Sequence, residues 1–279
     1  MNLIFIHGRA QEEFDEQELK QTWITTFHEG LAKNKLTLPA GVNIEFPYYG
    51  KLLKQWVEDP GSLPQQAIIK RSGRVVSEDI FNYTLLNEML TNADGEQEPT
   101  RGLLNKEAIQ KLLRKLDAKS GWGELALKKF TKDVFLYLTN VNLQQALNEY
   151  VMSKFGNEPS VVVGHSLGTI VAYNILKSKD DFQVKKFITL GSPLGLVAVK
   201  KYLPQPAGLP KCVKNGWFNA YDERDFVALN PLDSDHFPCE PPIENKNDID
   251  NFTKNRHGIA GYLNDAVVAK TIYDALILQ

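Results

Sequence analysis

The sequence predicts an α/β protein: a mainly parallel sheet flanked by helices, with a helical cap inserted before one of its central strands. Two observations lead there. Short apolar, β-branched runs alternate with segments of helical periodicity, the order that parallel βαβ units produce. One connection, between Tyr48 and Pro159, spans about 110 residues, where a crossover needs a dozen to a few tens.

Taken in order, Leu3–Ile6 is a run of buried-strand type. A helix follows over Glu18–Lys33, with Leu19, Trp23, Phe27 and Leu31 repeating every four positions. Val42–Pro47 reads as a second strand, entered through Pro39-Ala40-Gly41. The long connection shows helical patterns at Ile80–Leu90 and Leu103–Leu116, separated by the polar stretch Thr91–Thr100 with Gly95 and Pro99. Its last part, Leu143–Phe155, supplies the crossover helix. Pro159–Val163 is a strand bounded by proline, and Thr169–Leu176 is a helix-compatible apolar segment. Val184–Leu190 and Trp217–Tyr221 are further strands, and Tyr262–Leu278 is a final helix. Residues 1–48 and 138–279 therefore form the α/β core, and 49–137 form the inserted cap. No internal repeat interrupts this order.

Composition narrows the class. With 279 residues, 43% hydrophobic and 24% charged, the chain can bury a substantial core. A net charge of −2 gives no general bias toward nucleic acid. Cys212 and Cys239 are too few for a disulfide framework, and reduced thiols are expected. The apolar start Asn2–Ile6 runs at once into His7-Gly8-Arg9, so no secretory h-region is read, and no window reaches a membrane span. A soluble, cytoplasmic protein is the expectation.

The most informative residues are Gly164-His165-Ser166-Leu167-Gly168, a G-x-S-x-G between strand and helix. That setting makes a sharp turn that exposes a serine hydroxyl at the strand's carboxyl end, beside a helix N-terminus. A serine hydroxyl needs a base, and the order that accompanies this turn is serine, acid, histidine. Of five histidines only His236 and His257 follow Ser166. His257 is preferred because Asn255-Arg256-His257-Gly258 lies in a loop just before the last helix. His236 lies 11 positions after Asp225, too close for another strand, and with Asp233 and Asp235 reads as a solvated loop rather than a metal site. His28 falls in the first helix. The acid belongs after Trp217–Tyr221, where Asp222, Glu223 and Asp225 compete; Asp225 is preferred and Asp222 is the runner-up. Arg224 is read as a surface residue or as a partner of one of these acids. For a developing oxyanion, one donor is the N–H of Leu167; the second comes from the loop after the first strand, assigned to Arg9 with Ala10 as the alternative.

Strand-His7-Gly8, the Gly164–Thr169 turn, Leu190-Gly191-Ser192-Pro193-Leu194, Asp225 and His257 together resemble the α/β-hydrolase superfamily, especially its lipase and esterase branch. The resemblance covers roughly residues 1–48 and 140–279. It implies a serine hydrolase that cleaves a carboxylic ester through an acyl-enzyme on Ser166, without metal or organic cofactor. Ser166, Asp225 and His257 would be catalytic; Leu167 and Arg9 would form the oxyanion hole; a small-molecule or lipid ester would be the substrate. Thioesterase, amidase and acyltransferase chemistry would use the same acyl-serine, and a non-catalytic binding protein on this fold is a further reading. Two departures stand out. The sheet begins at the His-Gly strand, as in minimal lipases, and the insertion precedes the nucleophile strand, whereas most caps of the superfamily follow the next strand.

Residues 101–133 hold nine lysines and arginines against four acids. Leu103, Leu104, Ala108, Ile109, Leu112, Leu113 and Leu116 form an apolar stripe, with Lys106, Lys111, Arg114 and Lys115 on the remaining surface. A cap helix packed by its apolar face is the preferred reading; contact with an anionic membrane surface or an acidic substrate is the rival.

Overall fold

In the computed structural model, which describes residues 1–8, 15–58, 77–94 and 106–278, each apolar run of the sequence finds a partner in one parallel sheet. Its strands are β1 (Asn2–Ile6), β2 (Asn43–Glu45), β3 (Ser160–His165), β4 (Val184–Leu190), β5 (Trp217–Ala220) and β6 (Glu244–Lys246), in the spatial order β2-β1-β3-β4-β5-β6. All neighbouring pairs are parallel. The helices are α1 (Glu16–Lys33), α2 (Gly50–Glu58), α3 (Glu78–Asp94), α4 (Lys106–Ser120), α5 (Glu124–Thr139), α6 (Val141–Met152), α7 (Leu167–Ser178), the short α8 (Val197–Lys200), α9 (Ile259–Leu263) and α10 (Ala266–Ile277).

Alternation along the strands divides the interior. Leu3, Phe5, Val161, Val163, Ile188, Leu190 and Phe218 face α1, α9 and α10. Ile4, Ile6, Val162, Phe187 and Trp217 face the other side, where one continuous apolar cluster includes residues of helices α2 to α8. The helices between β2 and β3 therefore pack into the same core that covers α7. The apolar stripe of α4 is turned inward at Leu112, Leu113 and Leu116, with Ala108 and Ile109 packed against the core. Leu103 and Leu104, the start of that predicted stripe, lie outside the described residues.

Helices α2, α5 and α8 were not read from the sequence, and two further elements differ from its expectation. The final helix predicted over Tyr262–Leu278 is two helices, broken where the Asp265 side chain accepts from the N–H groups of Val267 (2.8 Å) and Val268 (3.0 Å) and so caps α10. Strand β6 went unread because Glu244-Asn245-Lys246 has no apolar residue. It is an edge strand held by polar contacts: Asn219 Nδ2 donates to Asn245 Oδ1 (2.9 Å), and Thr189 Oγ1 donates to Asn219 Oδ1 (2.8 Å). No described helix is long and apolar enough to cross a membrane.

Helix α7 meets β1 without side-chain spacing. A Cβ on Gly168 would stand 2.2 Å from the Ile6 carbonyl oxygen and 2.5 Å from that of His7. These obstacles are backbone and cannot swing aside. Gly168→Ala should lower the unfolding free energy by at least about 3 kcal/mol or abolish soluble expression, as read by urea denaturation; wild-type stability in this variant would contradict the packing.

Candidate active site

The sheet register decides which turns meet. His165 is opposite Leu190, Leu190 opposite Ala220 and Ala220 opposite Lys246, while Ile6 pairs with Gly164 one row earlier. The segments beginning at His7, Ser166, Gly191 and Tyr221 therefore leave the sheet along one carboxyl edge. The first two are in contact: a Cβ on Gly8 would stand 2.7 Å from Ser166 Cβ.

Ser166 has φ 53° and ψ −128°, a left-handed backbone that non-glycine residues rarely hold. It is maintained by its surroundings. Ser166 N–H donates to Leu190 O (3.1 Å), and its carbonyl accepts from Thr169 N–H (2.9 Å) and Thr169 Oγ1 (2.7 Å). Gly164 and Gly168 leave room for the turn; a Cβ on Gly164 would sit 2.9 Å from Thr169 Cα. The Ser166 side chain does not cap α7, which opens at Leu167.

The structure brings His257 and Asp225 together. His257 Nδ1–H donates to Asp225 Oδ2 at 2.6 Å, and both residues are buried. The carboxylate also accepts from Tyr262 O–H (2.6 Å, at Oδ2) and from Val227 N–H (3.0 Å, at Oδ1). Burial and the neighbouring Asp225 charge push the Tyr262 hydroxyl well above its ordinary pKa, so it stays a donor. His257 Nε2 is buried and has no hydrogen-bond partner among the described residues. Gly191 closes the floor at φ 54°; a Cβ there would stand 3.1 Å from Asp225 Oδ2 and 3.2 Å from His257 Cε1.

Asp222, the competing acid, builds the loop that presents His257. Its Oδ2 accepts from Asn251 N–H (2.9 Å) and from Arg256 Nη1 (3.3 Å), and its Oδ1 accepts from Arg224 N–H (2.8 Å). Arg224 and Arg256 both also bind Asp250. Glu223 accepts from Asn247 on the surface. Asn251, fully buried, holds the same loop: Oδ1 accepts from Thr253 N–H (3.1 Å) and Oγ1 (2.6 Å), and Nδ2 donates to Gly258 O (2.9 Å). Asn255 Oδ1 accepts from His257 N–H (3.2 Å). Asn251, Tyr262 and the role of Asp222 were missed from sequence. The polar stretch Asn251-Phe252-Thr253-Lys254-Asn255 was the available signal, because Asn side chains bond backbone two residues on.

Two further histidines are buried and neutral. His165 Nε2–H donates to the His257 carbonyl (2.7 Å), and the two rings lie 4.8 Å apart. Burial, then the proximity of His257, holds the His165 pKa well below 6.5. His7 Nε2 accepts from Tyr49 N–H (3.1 Å), so Nδ1 carries the proton and donates to Gly8 O (2.7 Å). Its ring stacks on Tyr49 with centroids 4.0 Å apart, Tyr49 O–H bonds its carbonyl, and burial lowers its pKa to about 4.

The helices between β2 and β3 reach this edge at the α4–α5 corner. Trp122 lies against the His257 imidazole, ring centroids 4.9 Å apart, and its Nε1–H donates to Asn255 O at 3.2 Å. The predicted second oxyanion donor, Arg9, and its alternative Ala10 lie outside the described residues. His236 stands apart, half-buried and paired with Asp233 (2.9 Å), and His28 is exposed. Among the described residues no group of three metal-ligating side chains occurs. Compared with known proteins, the chain matches no protein-family model and no curated protein.

The neutral histidines set a pH dependence. The unfolded chain binds a proton to each near pH 6.5, whereas folded His7 resists protonation until about pH 4. The His7 contribution is full above pH 6.5 and is lost as pH falls toward 4, and that of His165 changes in the same direction. For His7 this amounts to on the order of 3 kcal/mol. Unfolding free energies measured from pH 8 to pH 4 should fall across that window, and His7→Gln should flatten the slope. An unchanged slope in the variant would mean that His7 is not the neutral buried acceptor.

Proposed function

We propose that this chain is a serine hydrolase of the α/β-hydrolase type, cleaving a small-molecule or lipid carboxylic ester through an acyl-enzyme on Ser166. One observation supports it most. A buried His257 has its Nδ1 fixed by Asp225 at 2.6 Å and its Nε2 left without a partner among the described residues, on the sheet edge where a serine is held in a strained strand-to-helix turn. A buried polar atom without a bond is costly in a structural role. It is what a general base awaiting a serine hydroxyl and a substrate requires.

In this mechanism Ser166 Oγ attacks the ester carbonyl carbon as His257 Nε2 takes its proton. Asp225 keeps the proton on Nδ1 and stabilises the imidazolium; Tyr262 and Val227 hold the carboxylate in place. The Leu167 N–H, at the positive end of α7, stabilises the tetrahedral oxyanion. The loop after β1, pressed against Ser166 at Gly8, is the proposed source of the second donor, at Arg9. The imidazolium then protonates the departing alkoxide as the C–O bond breaks, leaving acyl-Ser166. Water repeats the sequence on the acyl-enzyme and releases the carboxylic acid. Each proton borrowed by His257 is returned, so the cycle closes on protein groups alone. Cys212 and Cys239 carry free thiols, which fits the cytoplasmic location proposed with this activity.

A fluorophosphonate probe should label the wild type on Ser166 and leave Ser166→Ala unlabelled but folded. Asp225→Asn should keep the fold and lower kcat by roughly 10⁴, because the amide favours the wrong imidazole tautomer. Labelling that persists in Ser166→Ala, or an Asp225→Asn enzyme of normal kcat measured on p-nitrophenyl esters, would overturn the assignment.

A further inference from the structure

We infer that Trp122 is the specificity residue for the leaving group, forming an apolar wall against which the alcohol portion of the ester docks. The inference rests on the ester-hydrolase reading above and deepens it. The environment of His257 is divided by direction. Asp225 and Tyr262 occupy the Nδ1 side, and His165 holds the backbone carbonyl. Trp122 is the ring that the inserted helices bring to the imidazole, at 4.9 Å between centroids.

Its position is fixed independently of any ligand. The indole N–H is tied to Asn255 O, two residues before the base, and Phe130 meets the ring edge-on at 5.7 Å. The corner that carries it is braced as well. Gly123 N–H donates to Asp117 Oδ1 (2.7 Å), Trp122 N–H donates to Ser120 Oγ (3.3 Å), and Gly121 and Gly123 take φ 66° and 86°. The side chain is only partly buried, so part of its surface is left for contact.

Chemistry then identifies what meets that surface. During acylation the departing oxygen takes its proton from His257 Nε2 and so lies within about 3 Å of it. Whatever is attached to that oxygen lies within reach of the indole. An apolar or aromatic alcohol would bury surface there and stack on the ring. During deacylation the alcohol has left and water stands in its place, with nothing to touch Trp122. Trp122 therefore discriminates among leaving groups in the first half of the cycle, and in the second only its contact with His257 remains.

That asymmetry is the test. Single-turnover kinetics on methyl, benzyl and p-nitrophenyl esters of one acid would give acylation constants, and the shared acyl-enzyme a deacylation constant. Trp122→Ala should lower acylation by the benzyl ester relative to the methyl ester by roughly tenfold, over and above any loss common to acylation and deacylation that follows from removing the ring packed on His257. Trp122→Phe should retain most of the preference, and its melting curve guards against a merely unfolded Ala variant. Losses shared by acylation and deacylation with an unaltered ester preference would show that Trp122 only positions His257, and no loss with an unaltered preference would show no contact; either overturns the inference. A wild type that neither takes the fluorophosphonate label nor forms an acyl-enzyme would overturn the ester-hydrolase reading itself, a result distinguishable from both.

Discussion

The close approach of α7 to β1 at Gly168 is the constraint on which the rest of this edge depends. The helix backbone lies against the Ile6 and His7 carbonyls with no room for a side chain. Strand β3 must therefore turn into α7 within a single residue, and Ser166 is the residue that absorbs the change, at φ 53°. Strain of this kind, on the order of 1–3 kcal/mol, persists only because the neighbouring bonds leave no alternative. The Ser166 N–H continues the ladder to Leu190 O while its carbonyl is already the first acceptor of the helix. The hydroxyl's position is thus a by-product of backbone packing.

The electrostatics around His257 follow from burial in the same region. A protonated His165, 4.8 Å away, would repel an imidazolium on His257. Burial keeps His165 neutral, and its one ring proton is spent on the His257 carbonyl. Asp225 is the carboxylate bonded to the His257 ring, while the Asp222 charge is shared with Arg224 and Arg256. Two acids three positions apart thus have different partners and different work. One meets the imidazole; the other fixes the loop that carries it.

That loop also shows why the inserted helices cannot be treated as an appendage. Their apolar residues belong to the cluster that packs α7 and one face of the sheet. Glu88 of α3 accepts from the N–H groups of Val197 (2.6 Å) and Ala198 (3.0 Å), capping α8 after β4. Tyr49, at the start of the insertion, holds His7 by its N–H and by ring stacking. Trp122, near its middle, holds Asn255. Contacts such as these tie the helices between β2 and β3 to the loops of the carboxyl edge.

Much of this was legible in the letters. The α/β class followed from apolar runs alternating with helical periodicity, and the serine turn from two glycines spaced around Ser166 between a strand and a helix; both are local patterns, set by which side chains fit a buried strand or a tight turn. That His257 would meet a carboxylate from just past β5 was suggested by chain order. What the sequence could not determine is whatever depends on contacts between distant residues. Asp222 and Asp225 are equivalent in one dimension and were separated only when the loop from Asn251 to Gly258 folded over the β5 end. The polar strand β6 has no hydrophobic signal because its place is secured by Asn219 and Asn245 across the sheet edge. Trp122 sits 135 positions from His257 in a segment without a motif, and only tertiary packing brings its ring to the imidazole. Periodicity and turn chemistry act between neighbours in the chain, whereas the surroundings of His257 are assembled from segments whose proximity is decided by the packing of the whole core.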